Sequence, residues 1–209
     1  RESFHATRSE IISQLSADTD SASLKLVAES INDKDSKVRF AVLQNNTPAS
    51  KLMKPAFEKA LTDSSYDNTE LALKKLNEAY PAESNTYLAK TDKQFGMGNS
   101  LRIQWLEIAC TQDLQKNVGE LTLYSASQYE FRTRINAMNA LQRLNYMDKT
   151  VALNLFNALL SSNSRLAGPA GKALEYFAKQ NNNKVILRQA YARRHWTPWQ
   201  ATAIEKAIN

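Results

Sequence analysis

Asp33-Lys34-Asp35-Ser36-Lys37-Val38-Arg39-Phe40-Ala41 is the stretch on which the fold turns. Two acids lead into Ser36, whose short side-chain oxygen can accept from the free N–H groups of a first helical turn, so Ser36 is the expected N-cap. Val38 and Ala41, three apart, then face inward together. Outward from this stretch the register repeats: Arg8, Arg39, Ala72, Arg102, Arg134 and Arg165 are separated by 31, 33, 30, 32 and 31 residues. That is the period of helical-repeat proteins. Four positions after each anchor stand Ile12, Leu43, Leu76, Leu106, Met138 and Pro169, so all but the last place a large apolar side chain one turn on.

Only five glycines and five prolines punctuate the 209 residues, and 43% of them are hydrophobic, which favours helices joined by short turns around a continuous core. Each unit is expected to carry a second helix. These are predicted at 21–31, 48–61, 81–89, 113–124, 149–160 and 183–194, with Pro48 and Pro81 in first turns, where a missing N–H costs nothing. The segments 63–67 and 94–99 read as turns between units. Pro169 should kink the sixth first helix, or restart it with Pro169 in the first turn. A closing helix over 200–208 is expected, with Thr197 as cap, Pro198 in the first turn and Ala203, Ile204 and Ala207 inward.

A helix pair of this size cannot bury its apolar stripe alone, and stacking solves the problem. The expectation is therefore all-α: a right-handed α-α superhelix of about six helix pairs plus a C-terminal capping helix, forming one domain over 1–209. Beginning at Arg1 without a methionine or a signal-like apolar region, the chain is expected to be an excised piece of a larger protein.

The spacing Asp-x-Asp-x-x-Val-Arg-x-Ala at 33–41 resembles the short type of HEAT repeat, in which an inter-repeat acid meets the arginine of the next first helix. The structural anchors this implies are Arg8, Asp33, Asp35, Arg39, Arg102, Arg134 and Arg165; at Ala72 the arginine is lost. Over nearly its whole length the chain also resembles the C-terminal helical domain of M1-family zinc aminopeptidases, which packs over the catalytic domain. That resemblance implies a non-catalytic piece shaping the path by which peptides reach a zinc site held elsewhere. Neither His-Glu-x-x-His nor Gly-x-Met-Glu-Asn occurs in the chain.

The residues themselves offer little chemistry. His5, His195 and Cys110 lie far apart in sequence, so no metal site is expected, and no cofactor. Cys110, in Trp105-Leu106-Glu107-Ile108-Ala109-Cys110, reads as a core filler. Asp33-x-Asp35 fails as a calcium loop because Val38 stands where glycine is required and Gln44 where the last ligand belongs. Gly96-x-Gly98 and Gly168-x-x-Gly171 lack the context of a phosphate loop. Carboxylates are expected mostly at helix starts, where the dipole favours them. No apolar run is long enough to span a bilayer, and the compartment is not readable.

The charge is the one local signal. Of a net +6, residues 1–163 hold 19 basic and 19 acidic side chains, so the excess lies in 164–209, with 8 against 2. Lys184, Arg188 and Arg194 are expected on one helical face, flanked by Arg193, with Trp196 and Trp199 close by. These six are the candidate binding residues. The partners expected are the catalytic domain of a parent chain, or a protein or peptide along the concave face of a free-standing HEAT-like scaffold. Nucleic acid gripped by the basic end is a third reading, weakened by the balanced charge elsewhere.

Overall fold

The computed structural model describes residues 4–18 and 20–209, and all regular structure among them is helical. The fold divides into two compact units that part between Met97 and Gly98, within the 94–99 stretch expected as a turn.

The first unit contains α1 (His5–Ser16), α2 (Ser21–Glu29), α3 (Ser36–Asn45), α4 (Lys54–Ala60), α5 (Tyr66–Ala79) and α6 (Ser84–Thr91). Short 3-10 helices extend α2 over Ser30–Asn32 and precede α6 over Pro81–Glu83. The first helices pack side by side in chain order, α1 on α3 and α3 on α5. Val27, Val42, Leu43, Phe57, Leu61, Leu73, Leu76 and Tyr87 are buried between the helices. Removing a side chain such as Phe57 from water contributes about 2–3 kcal/mol.

The second unit contains α7 (Ser100–Gln112), α8 (Leu114–Tyr124), α9 (Phe131–Arg143), α10 (Lys149–Leu159), α11 (Ser164–Ala178), α12 (Asn181–Tyr191) and α13 (Pro198–Ile208). Here α7 packs on α9, α9 on α11 and α11 on α13, with α10 against α11 and α12. Leu106, Leu121, Leu141, Leu155, Phe156, Leu174, Phe177, Leu187 and Ile204 form its core. With the 3-10 helices, the helical elements outnumber the thirteen that six pairs and a cap would supply.

The apolar register holds: Ile12, Leu43, Leu76, Leu106 and Met138 are all buried. The acids also fall at helix starts. Asp20, Asp113, Glu130 and Asp148 each accept from backbone N–H groups of the first turn that follows. Thr197 and Gln200 close a capping box on α13, which turns Ile204 and Ile208 inward.

Four expectations need correction. The cap of α3 is Asp35, which accepts from the Lys37 N–H at 2.9 Å, and Ser36 is the first helical residue; a carboxylate one position earlier does the same work with a charge. Pro48 lies in the turn before α4, and Pro55 is the proline of that helix's first turn. Helix α11 starts at Ser164 under an Asn163 cap and runs through Pro169. Buried Leu166 on one side of the proline and Ala170, Ala173, Leu174 and Phe177 on the other hold the helix across the lost backbone bond. Helix α12 ends at Tyr191, three residues before its expected end.

Candidate binding surface at the C-terminal end

The end of α12 is set by an aromatic side chain. Tyr191 leaves a carbonyl that no further helical turn satisfies, and the Trp196 indole N–H donates to it at 2.9 Å. The two rings stack with centroids 6.3 Å apart, and Trp196 meets Phe156 edge-on at 5.9 Å. The Tyr191 hydroxyl donates to Glu205 of α13 at 2.6 Å, a bond that, with burial, pushes the phenol pKa up. Trp196 is thereby committed to packing α12 against the core.

This closure scatters the cations. Lys184 is half-buried on α12 and its Nζ lies 3.4 Å from the carbonyl of Asn209. Arg188, in the last turn of α12, is exposed. Arg193 and Arg194 sit in the turn beyond the helix, both exposed, so the single helical face expected for Lys184, Arg188 and Arg194 does not form. Trp199, in the first turn of α13, is 60% exposed. Arg188, Arg193, Arg194 and Trp199 are what this end presents to solvent.

The anchor positions separate into kinds. Arg8 meets Asp33 with Nε and Nη2 each 2.8 Å from a carboxylate oxygen, and Arg39 meets Asp63 in the same way. Each loop acid thus pairs with the arginine of the preceding first helix, where the resemblance implied the next one. The next arginine, Arg39, takes only the Asp33 carbonyl, at 2.8 Å, because the Asp33 side chain is already spent on Arg8. Asp35 caps α3 and has His5 Nδ1 3.7 Å away. Arg102 pairs within its own unit, with Glu120 of α8, and lies over the Trp105 ring at 4.3 Å. Arg165 is exposed beside the start of α11 and anchors nothing, since Asn163 there caps the backbone and supplies no charge. Arg134 is buried and donates through Nε to the Ser125 carbonyl.

Sequence reasoning missed Lys75, whose Nζ donates to the carbonyls of Leu43, Gln44 and Asn46 at 2.7, 2.9 and 2.7 Å. It closes the C-terminal end of α3 from α5, and burial pushes its pKa down. It also missed the pair of Arg143 with Glu107. Both ties join helices about 30 or more residues apart, and the register of Lys75 one turn beyond Ala72 was the available signal.

Perturbed ionisable groups mark functional sites when nothing structural accounts for them. Arg8 holds the Asp33 carboxyl below its usual range, and Lys54 does the same for Glu83. Burial pushes the Cys110 thiol up to about 11. Among the described residues no group of three or more His, Cys, Asp or Glu side chains is placed to hold a metal ion, and no helix is long and apolar enough to cross a membrane. A groove of about 410 Å³ between α1 and α3 is lined by polar side chains including His5, Glu10 and Lys37.

No protein-family model matches the chain, and no curated protein matches it.

Proposed function

We propose that this chain is a non-catalytic HEAT-like helical-repeat domain, its helix pairs stacked as a right-handed superhelix closed by α13. In this reading it is the C-terminal domain of an M1-like zinc aminopeptidase, packing on the catalytic domain and shaping peptide access. The observation that carries the repeat reading is the recurrence, 31 residues apart, of one arrangement: the arginines of α1 and α3 each bound side-on by the acid of the following loop. The side-by-side order of the first helices within each unit agrees with it. The aminopeptidase assignment adds the overall resemblance in repeat style and length. Determining the coding sequence upstream of Arg1 tests it directly. An in-frame His-Glu-x-x-His is expected, and a gene that opens near Arg1 without that motif overturns the assignment.

The exposed Arg188, Arg193, Arg194 and Trp199 favour a second reading, a free-standing scaffold that takes an acidic protein partner at this end. Reversing Arg188, Arg193 and Arg194 to glutamate should then abolish capture of that partner. Salt-sensitive binding of duplex or single-stranded DNA in place of protein would convert this reading into the nucleic-acid one.

A further inference from the structure

One buried arginine of the second unit lacks the carboxylate that its counterparts have. In Arg8, Arg39, Arg102 and Arg143 an acid of this chain takes the side-on edge, Nε with Nη2. At Arg134, which is 7% exposed, Nε is occupied by the Ser125 carbonyl at 3.2 Å and Nη2 is buried with no hydrogen-bond partner. Burial lowers its pKa and no charge among the described residues opposes that. A lysine or histidine so placed could become neutral. A guanidinium cannot, and a buried, uncompensated cation needs an anion.

The loop where an acid would stand by analogy with Asp33 and Asp63 reads Leu160-Ser161-Ser162-Asn163, without a charge. The turn that holds Arg134 is a polar cluster in its own right. Ser125 Oγ donates to the Thr122 carbonyl at 2.6 Å, Asn154 Nδ2 donates to Ser125 Oγ at 2.8 Å, and Thr122 Oγ1 is a second buried atom without a partner.

We propose that Arg134 is a receptor for a carboxylate supplied from outside these residues, bound end-on across Nη1 and Nη2. The end-on edge is the one left, because the Ser125 carbonyl blocks the side-on approach used by the other pairs. A planar carboxylate matches the two parallel donors of that edge, which a spherical ion does not. The carboxylate comes from a free small acid or from the carboxyl terminus of a peptide. The site stands apart from the aminopeptidase assignment, since it rests on one side chain and its missing counter-charge.

The test follows the Arg134 Nε–H signal by NMR, together with the melting midpoint, at constant ionic strength. Sodium acetate, sodium chloride, acetyl-alanyl-alanine and its amide are the probes. Acetate is expected to move the Arg134 signal saturably and to raise the midpoint by about 3–6 °C at ten times its Kd. The rise should vanish in Arg134→Gln. If the peptide acid moves the signal and the amide does not, the terminus of a peptide is the source; if only acetate acts, the source is a free small acid. Absence of a saturable shift, an equal effect of chloride, or a rise that survives in Arg134→Gln overturns the proposal. Should Arg134→Gln fail to fold, the signal of the unaltered protein decides alone.

Discussion

Arg39 holds Asp63 side-on, Nε and Nη2 each 2.6 Å from a carboxylate oxygen, while Nη1 reaches back 2.8 Å to the Asp33 carbonyl. The two side chains are only 11% and 5% exposed. Removing one partner strands the other charge in a poorly solvated site. Asp63→Asn is expected to cost about 3 kcal/mol in urea unfolding, whereas Arg39→Met with Asp63→Leu costs markedly less. Equal losses in the single and double variants would refute that account.

Acid should weaken the fold. Arg8 holds Asp33 below the usual carboxylate range, and Arg102 does so for Glu120. At Asp63 burial pushes the pKa up, but Arg39, the Ser65 N–H and Asn68 together bring it below normal. Glu130, also pushed up by burial, is brought below normal by the N–H groups of Arg132 and Thr133. A depressed native pKa means that the unfolded chain takes up the proton first. The stabilisation is therefore complete above the unfolded value of about 4 and is lost as pH falls through the lower native values. The urea midpoint should be level from pH 7 to 5 and fall below about pH 4.5, and Asp63→Asn should flatten the fall. A midpoint unchanged at pH 3 would contradict it.

Cys110 should be inert. Its thiol, pushed up to about 11 by burial and by the nearby charges of Glu107 and Asp113, holds little thiolate at pH 8. Alkylation by iodoacetamide is expected at least about 100-fold slower in the native protein than in urea. Comparable rates in the two conditions would place Cys110 on the surface.

Pro169→Ala should stabilise the protein. The alanine restores an N–H for the Arg165 carbonyl and removes the ring from a helix interior, a change of up to about 3 kcal/mol. A more flexible unfolded chain offsets about 1 kcal/mol of that. A net gain of about 1–2 kcal/mol in thermal unfolding is expected. A loss would show that the ring fills space in the core that a methyl group leaves empty.

The helical class and the buried stripe were legible because both follow from local spacing: Ile12, Leu43, Leu76, Leu106 and Met138 name the inner face without knowledge of any neighbour. The tertiary partners were not. The Asp33 side chain pairing backward with Arg8, not forward with Arg39, depends on the path of a loop, and two candidate arginines six and 25 residues away look alike in sequence. At the C-terminal end, cation spacing suggested one long helical face. It failed because Trp196 folds back onto the Tyr191 carbonyl, an interaction between residues five apart with no periodic signature. The deficit at Arg134 was invisible for a related reason, since an arginine in register looks the same whether or not an acid awaits it.

The side-on pairs of the first unit also bear on how this chain reaches its native state. Arg8 and Asp33 are 25 residues apart, Arg39 and Asp63 are 24, and each closure therefore carries a modest loop entropy that grows only logarithmically with length. Packing between successive first helices is of similar range. Folding of residues 1–97 is then expected to begin at any one helix pair and spread to its neighbours, rapidly and without waiting for distant segments to meet. A break in one tie should speed local opening around that pair, leaving its neighbours to slow the spread.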